Sequence, residues 1–443
     1  MNCVTMLWVA LMFVPLAAVV ASKIFATKYH IDDLSNGLRL ITVPTDYPNL
    51  VALYIVVQAG SRNEVEPGKS GFAHLFEHLM FRGTEQFSPE MYDQILKNAG
   101  ADHNAYTADD RTAYHIVFSK EDLDQILMLE ADRFKNLKVP IDDFKTETKA
   151  VLGEYNKNAS NPIAKLLEVV RDTAFHCHTY KHTTMGFVQD VENMPNMYDY
   201  SQEFFRRYYR PENTIIILAG DVEHAKALAS VKEYWEGWTR GSHLTPNVTA
   251  EPPQTEELTA HVKWETPTLP WVLVAYKGPA FSDTEKDMPS MDLIGNLGFA
   301  ESSPLYQQLV VREQKVDTLG AIFEDHLDPY LVMVLARVKN ADDVDYVKNE
   351  IVKVFDSFRT EKVPEELLEE VKSHLRYEFA LSLDNSQAIA ARLAPYVALT
   401  RDPETINRLY EVYAAVTPDD IQQMANKYFH AGRRTVATLS YGE

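Results

Sequence analysis

The sequence predicts an α+β fold built as two homologous domains, each a β-sheet packed with helices. An internal repeat, a matched pair of helix starts and a polar break in mid-chain lead to that expectation. The repeat has an offset of about 220 residues. Leu50-Val51-Ala52-Leu53-Tyr54-Ile55-Val56-Val57 is an apolar, β-branched run ending near Gly60, and Pro270-Trp271-Val272-Leu273-Val274-Ala275-Tyr276 stands at that offset from it. The same offset aligns Phe205-Arg206-Arg207-Tyr208-Tyr209-Arg210, followed by Thr214-Ile215-Ile216-Ile217-Leu218, with Ala425-Asn426-Lys427-Tyr428-Phe429-His430, followed by Arg434-Thr435-Val436-Ala437-Thr438. Each reads as a helix end, a turn and a closing strand. Val139-Pro140 and Val363-Pro364 open helices at a slightly larger offset of about 224, which implies a small insertion. Long helical patterns run from Ser160 to Phe175 and from Glu365 to Leu381.

Between Trp238 and His261 the chain turns polar, carries Pro246, Pro252 and Pro253, and loses periodicity. That places an N-terminal domain at 22–238, a linker at 239–261 and a C-terminal domain at 262–443. Ahead of them, Met6 to Ala21 is an uncharged apolar stretch broken only by Pro15. It is shorter than the roughly 20 residues of a spanning helix, and Val19-Val20-Ala21 before Ser22-Lys23 has the small-residue character of a cleavage site. The reading is a signal peptide at 1–21 and export to the periplasm or exterior. The absence of a basic n-region leaves an uncleaved anchor as the other form of the same segment. Cys3 and Cys177 are the two cysteines, so loss of the leader leaves one thiol and no intrachain disulfide.

Of the 443 residues, 46% are hydrophobic and 24% charged, which excludes a disordered chain. The 43 Lys and Arg against 64 Asp and Glu give a net charge of −21. A field of that sign repels phosphate backbones, so nucleic acid is not an expected partner.

The chemistry is concentrated at His74-Leu75-Phe76-Glu77-His78. On a helix, His74 and His78 lie about 40° apart and one turn along, so both imidazoles can grip one ion. Glu77 lies about 60° to the other side of His74, close enough to reach a water on that ion without ligating it. Two neutral imidazoles and a carboxylate suit zinc with one open position. Glu147 and Glu154 are candidates for that carboxylate, since they share one helical stripe within about 20°. Either could ligate while the other orients a histidine, and spacing alone does not choose between them. At the repeat offset, His74, Glu77 and His78 fall on Ile294, Leu297 and Gly298, so only the first half can hold this metal.

The run Gly71-Phe72-Ala73-His74-Leu75-Phe76-Glu77-His78-Leu79-Met80-Phe81-Arg82-Gly83-Thr84 resembles the zinc site of the inverted-motif peptidases, the family of pitrilysin, insulin-degrading enzyme and mitochondrial processing peptidase. The likeness extends over nearly the whole mature chain and is greatest to the short bacterial two-domain members that bear the zinc. It implies His74, His78 and Glu154 as ligands of one Zn²⁺, with Glu154 about 76 residues after His78, Glu147 as the supporting carboxylate and Glu77 as general base. Asn104-Ala105-Tyr106-Thr107, with Asp109, Thr112 and Tyr114 behind it, is similar to the edge strand that lines the family's cleft. It implies Asn104, Ala105 and Tyr106 as substrate contacts, with an extended peptide added as a strand.

In the second half, Ser302 to Glu313 resembles a helix whose Arg, together with a Tyr seven residues later, polarises the scissile carbonyl in the family. Arg312 is present, but Leu319 stands where that Tyr would be. The resemblance therefore implies a zinc endopeptidase acting on peptides, with a related metal-free subunit to supply an Arg/Tyr pair. A non-catalytic assembly subunit and a metal-dependent peptide binder without turnover are the alternatives. His176-Cys177-His178 with His182 has the composition of a second metal site, but its place in a loop favours a structural role. His115 reads as a strand residue.

Overall fold

The computed structural model describes residues 23–241 and 246–442, so the proposed signal peptide at 1–21 lies outside the described residues. Two mixed sheets form the frame. The first contains β1 (His30–Asp33), β2 (Arg39–Pro44), β3 (Leu50–Val57), β4 (Asp102–Thr107), β5 (Thr112–Ser119) and β6 (Thr214–Gly220), in the order β1-β2-β6-β3-β5-β4. The second contains β7 (Leu258–Trp264), β8 (Trp271–Lys277), β9 (Val316–Phe323), β10 (Leu331–Val338) and β11 (Arg434–Tyr441), in the order β7-β11-β8-β10-β9.

Apart from the extra edge strand β1, the orders superimpose. The pairs β2·β6 and β7·β11 are parallel, and every other pairing is antiparallel. The repeat seen in the sequence is thus a repeat of topology. Strands β3, β6 and β8 are buried along nearly their whole length, which explains why they read as continuous apolar runs.

Two features depart from the expected domain limits. Strand β7 begins at Leu258, so the segment read as linker to His261 is already sheet at its end. Each half also sends one helix to the other half's sheet. Helix Pro162–Ala174 packs Leu166, Val170 and Ala174 against Trp271, Leu273 and Leu439 of the second sheet. Helix Ser386–Thr400 packs Ile389, Leu393 and Val397 against Ile41, Ala52, Tyr54 and Ile217 of the first. The chain divisions 22–238 and 262–443 therefore describe the sequence repeat better than the packing units. The former helix also starts later than Ser160, because Asn161 caps it by accepting from the N–H of Ile163 and Pro162 follows at the first helical position. Glu365–Leu381 is a helix over the expected span.

The turns after β4 and β9 fasten the halves together. Asp109 accepts from Ser61 Oγ at 2.6 Å and from Arg171 at 2.7 Å, and pairs with His326 Nε2 at 3.0 Å. Tyr180 Oη donates to Asp110 at 2.8 Å, and Arg62 meets Asp328 at 2.6 Å. Burial raises the cost of ionising Asp109, but Arg171 and His326 outweigh it and hold the carboxyl below its usual range. Asp109 is thus an interdomain tie in a turn and not part of a cleft-lining strand.

Candidate metal centre

Helix Phe72–Leu79 starts at Gly71, whose φ of 90° lies in the left-handed region. A Cβ there would lie 2.9 Å from Met185 O, so glycine is needed for space as well as conformation. The first turn is capped from outside by buried Glu64, which accepts from the N–H groups of Gly71 and Ala73 at 2.7 Å each. Burial pushes the Glu64 carboxyl up to about 8, against the lowering effect of those two donors. Glu64 carries no motif signature, because its partners are backbone groups of a helix it does not belong to.

The helix buries Phe72, Phe76 and Leu79 in the first core and turns His74 and His78 to one side, with ring centroids 4.8 Å apart. Helix Ile141–Ala159 lies beside them. Its Glu154 Oε2 is 3.7 Å from His74 Nε2 and 3.4 Å from His78 Nε2. The three ligand atoms lie within 4.8 Å of one another, the one such grouping among the described residues. A tetrahedral zinc with ligands about 2.0–2.1 Å away spaces its ligand atoms by about 3.3–3.5 Å, so the donor set fits the ion in both chemistry and span. Burial, then the neighbouring His78, lowers His74 to about 4, which keeps its imidazole neutral as a ligand must be.

The geometry separates the two carboxylates that spacing left equivalent. Glu147 Oε1 lies 3.0 Å from His78 Nδ1, on the far side of that ring from Glu154. Its other oxygen meets Arg82. Burial alone would raise Glu147, but the bonds from His78 and Arg82 prevail and keep it ionised. It therefore receives the Nδ1–H of His78, a bond that raises that ring's affinity for protons, and leaves Nε2 directed toward Glu154. His74 Nδ1 is buried with no hydrogen-bond partner among the described residues.

Glu77 is tied to the edge strand. Thr107 Oγ1, at the last residue of β4, donates to Glu77 Oε2 at 2.7 Å. Burial pushes the Glu77 carboxyl up and the Thr107 bond draws it partly back. Strand β4 pairs with β5 on one side only. On it Asn104 is exposed, Ala105 is buried in the core and Tyr106 is half-buried, with Arg111 over its ring at 5.5 Å. The Ala105 N–H is held by the Asn104 side chain at 2.9 Å.

Other residues singled out in the sequence lie elsewhere. Arg312 ends the wide helical turn Gln307–Arg312 of the second half, is exposed, and has no contact with the ligand set among the described residues. Leu319 is a buried residue of β9. The His176 cluster does not converge. His178 spans Asp328 and the N–H of Tyr180, while the N–H groups of His176, Cys177 and His178 all bind the Glu251 carboxylate at 2.7 to 3.0 Å. His115 lies in β5 and stacks on Tyr54.

The family model described as Insulinase (Peptidase family M16) matches residues 40–187, and that described as Peptidase M16 inactive domain matches residues 197–375. The chain belongs to peptidase family M16. Among other M16 proteins it is 28% identical to the zinc protease PqqE of Helicobacter pylori, over 97% of each chain. It is 24% identical to the mitochondrial-processing peptidase subunit beta of Saccharomyces cerevisiae, over 93% of this chain and 90% of that one. The crystal structure of a protease from Helicobacter pylori superimposes with a TM-score of 0.88 at 28% identity, covering 94% of this chain and 99% of that one. The periplasmic protease PqqL from Escherichia coli shares the fold at a TM-score of 0.75 and 18% identity, with this chain spanning 47% of its length.

Proposed function

We propose that this M16 protein is a zinc endopeptidase, with His74, His78 and Glu154 as ligands and Glu77 as general base. The observation behind this reading is a single junction. The convergent ligand atoms sit beside a carboxylate that Thr107 ties to β4, whose outer edge is open. An extended peptide added to β4 would lie with its backbone next to Glu77, with Asn104, Ala105 and Tyr106 along it. Zinc, when bound, supplies the Lewis acid that activates water near neutral pH and polarises a carbonyl. Glu77 accepts the proton of the attacking water and returns it to the leaving amine, work suited to a carboxyl whose affinity for protons burial has raised. Glu147 holds the His78 ring in the orientation and tautomer that present Nε2. Export to the periplasm or exterior is part of the proposal and rests on the apolar segment Met6 to Ala21.

A related metal-free subunit would complete the site. This chain has Arg312 but Leu319 in place of a tyrosine, so it lacks one donor to the charge that develops on the scissile carbonyl. Such a donor is worth about 100- to 1000-fold in rate. Adding a paralogue that carries the Arg/Tyr pair is expected to raise peptide turnover by about that factor. Full turnover by a monomeric preparation, unchanged by that addition, would contradict the pairing.

The test of the peptidase itself is zinc content per chain, with hydrolysis of a quenched peptide before and after chelation. One zinc per chain and turnover that chelator abolishes and zinc restores are expected. Stoichiometric zinc with peptide binding and no turnover, even with a paralogue added, would favour a binding protein. No zinc and no turnover would favour an assembly subunit.

A further inference from the structure

Behind the metal-motif helix lies a solvent-open pocket, of about 530 Å³, that the peptidase chemistry does not use. It opens where the ends of helices Leu123–Asn136 and Tyr198–Tyr208 meet the residues that follow helix His224–Trp235. Lys135, Arg206, Arg210 and Arg240 line it; among the described residues no Asp or Glu does, although Glu212 accepts from the N–H of Gly241 at its rim. In a chain with 64 acidic and 43 basic residues, that wall runs against the composition.

Part of this charge is locally accounted for. Lys135 and Arg206 occupy last helical turns, where a cation answers the helix dipole. Lys135 Nζ donates to Tyr234 O at 2.6 Å, which uses one of its three protons. Arg210 lies 3.5 Å from Glu212. Arg240 belongs to no helix, and Arg206 and Arg240 are exposed with no hydrogen bond or ion pair to another described residue. Like charges around one hollow repel one another, and an anion between them removes that repulsion.

The inner wall is aromatic and fixed. Phe205 and Tyr209 lie against Phe76 at centroid distances of 5.6 and 5.4 Å, and Tyr209 Oη shares a 2.7 Å hydrogen bond with Tyr114 Oη. Phe76 points about 160° around its helix from His74, so the cavity sits on the side away from the metal ligands. Its volume exceeds what a lone oxyanion fills, and guanidinium forks suit phosphate and carboxylate groups alike.

We propose that this cavity binds a small ligand bearing two or more oxyanion groups, held by Arg206, Arg240 and Lys135 against the Phe205–Tyr209 wall. The chain's net charge of −21 disfavours anions on the surface at large, so saturable binding would have to come from a local site such as this one.

Calorimetric titration of the full chain with pyrophosphate, and in a parallel arm with citrate, tests the proposal. Saturable binding in at least one arm is expected, weakened by about tenfold or more in the variant Arg206→Glu/Arg240→Glu and by added salt. Binding of pyrophosphate alone identifies a phosphate site, and binding of citrate alone a carboxylate site. Chelation at the His74 site would act equally on both proteins, so the difference between them isolates the cavity. If the double reversal disturbs folding by circular dichroism, Arg240→Gln carries the same comparison. No binding in either arm, or equal binding by wild type and variant, would overturn the proposal.

Discussion

Helix Phe72–Leu79 and its counterpart within Asp287–Phe299 occupy the same place in two copies of one fold, yet their interiors are opposite in character. The first carries His74, Glu77 and His78, the second Ile294, Leu297 and Gly298. In the first, each polar group reaching inward is matched by one from another element: Glu154 and Glu147 from a neighbouring helix and Thr107 from the edge strand. In the second, Ile294 and Leu297 are buried, and a Cβ on Gly298 would lie 2.9 Å from Val354 and 3.0 Å from Phe358. The third-ligand helix also has its counterpart. Glu378 stands about 224 residues after Glu154, but with no histidine pair to face it forms a surface pair with His374 at 3.1 Å. Apart from His74 Nδ1, the contrast shows buried polar groups given partners from other elements in one copy and replaced by packing in the other.

The largest effect expected from breaking the first copy is that of His74→Ala. Two protein ligands hold zinc far less well than three, so metal and turnover should disappear together in metal analysis and peptide assay. Stoichiometric zinc in that variant would move the ion to another site. Glu147→Gln should be milder, lowering zinc affinity by about 10- to 100-fold because the His78 ring loses its ionised acceptor. Competition with a chromogenic chelator reads this directly, and an unchanged affinity would show that Glu147 is not supporting the site. In the second copy, Gly298→His restores one ligand type but forces a side chain against Val354 and Phe358. The expected result is no gained zinc and a loss of about 1–3 kcal/mol in denaturant unfolding. A second zinc per chain would show that the metal-free half had kept a latent site.

Much of this contrast is readable from sequence because it depends on residue type at a fixed offset. Leu50–Val57 and Glu365–Leu381 are also legible, since period and flanking breakers define them locally. What pattern cannot specify is the partner of a buried face. Helices Pro162–Ala174 and Ser386–Thr400 show apolar stripes, but a stripe does not say which sheet covers it, and each lies on the sheet of the other half. The choice between Glu147 and Glu154 is of the same kind. Both lie on one stripe, and only the placement of that helix sends one to His78 Nδ1 and the other to the two Nε2 atoms. Asp109, grouped with the cleft by its sequence neighbours, is claimed instead by Arg171 and His326 from distant segments.

In the proposed reaction Glu77 does the proton work beside a metal it does not bind. Glu77→Gln keeps the shape of the side chain and leaves His74, His78 and Glu154 untouched. The measurement is zinc per chain together with peptide turnover in that variant. Wild-type zinc and a fall in turnover of about 100- to 10,000-fold are expected. Near-normal turnover at full zinc occupancy would contradict that role and assign the base to another carboxylate.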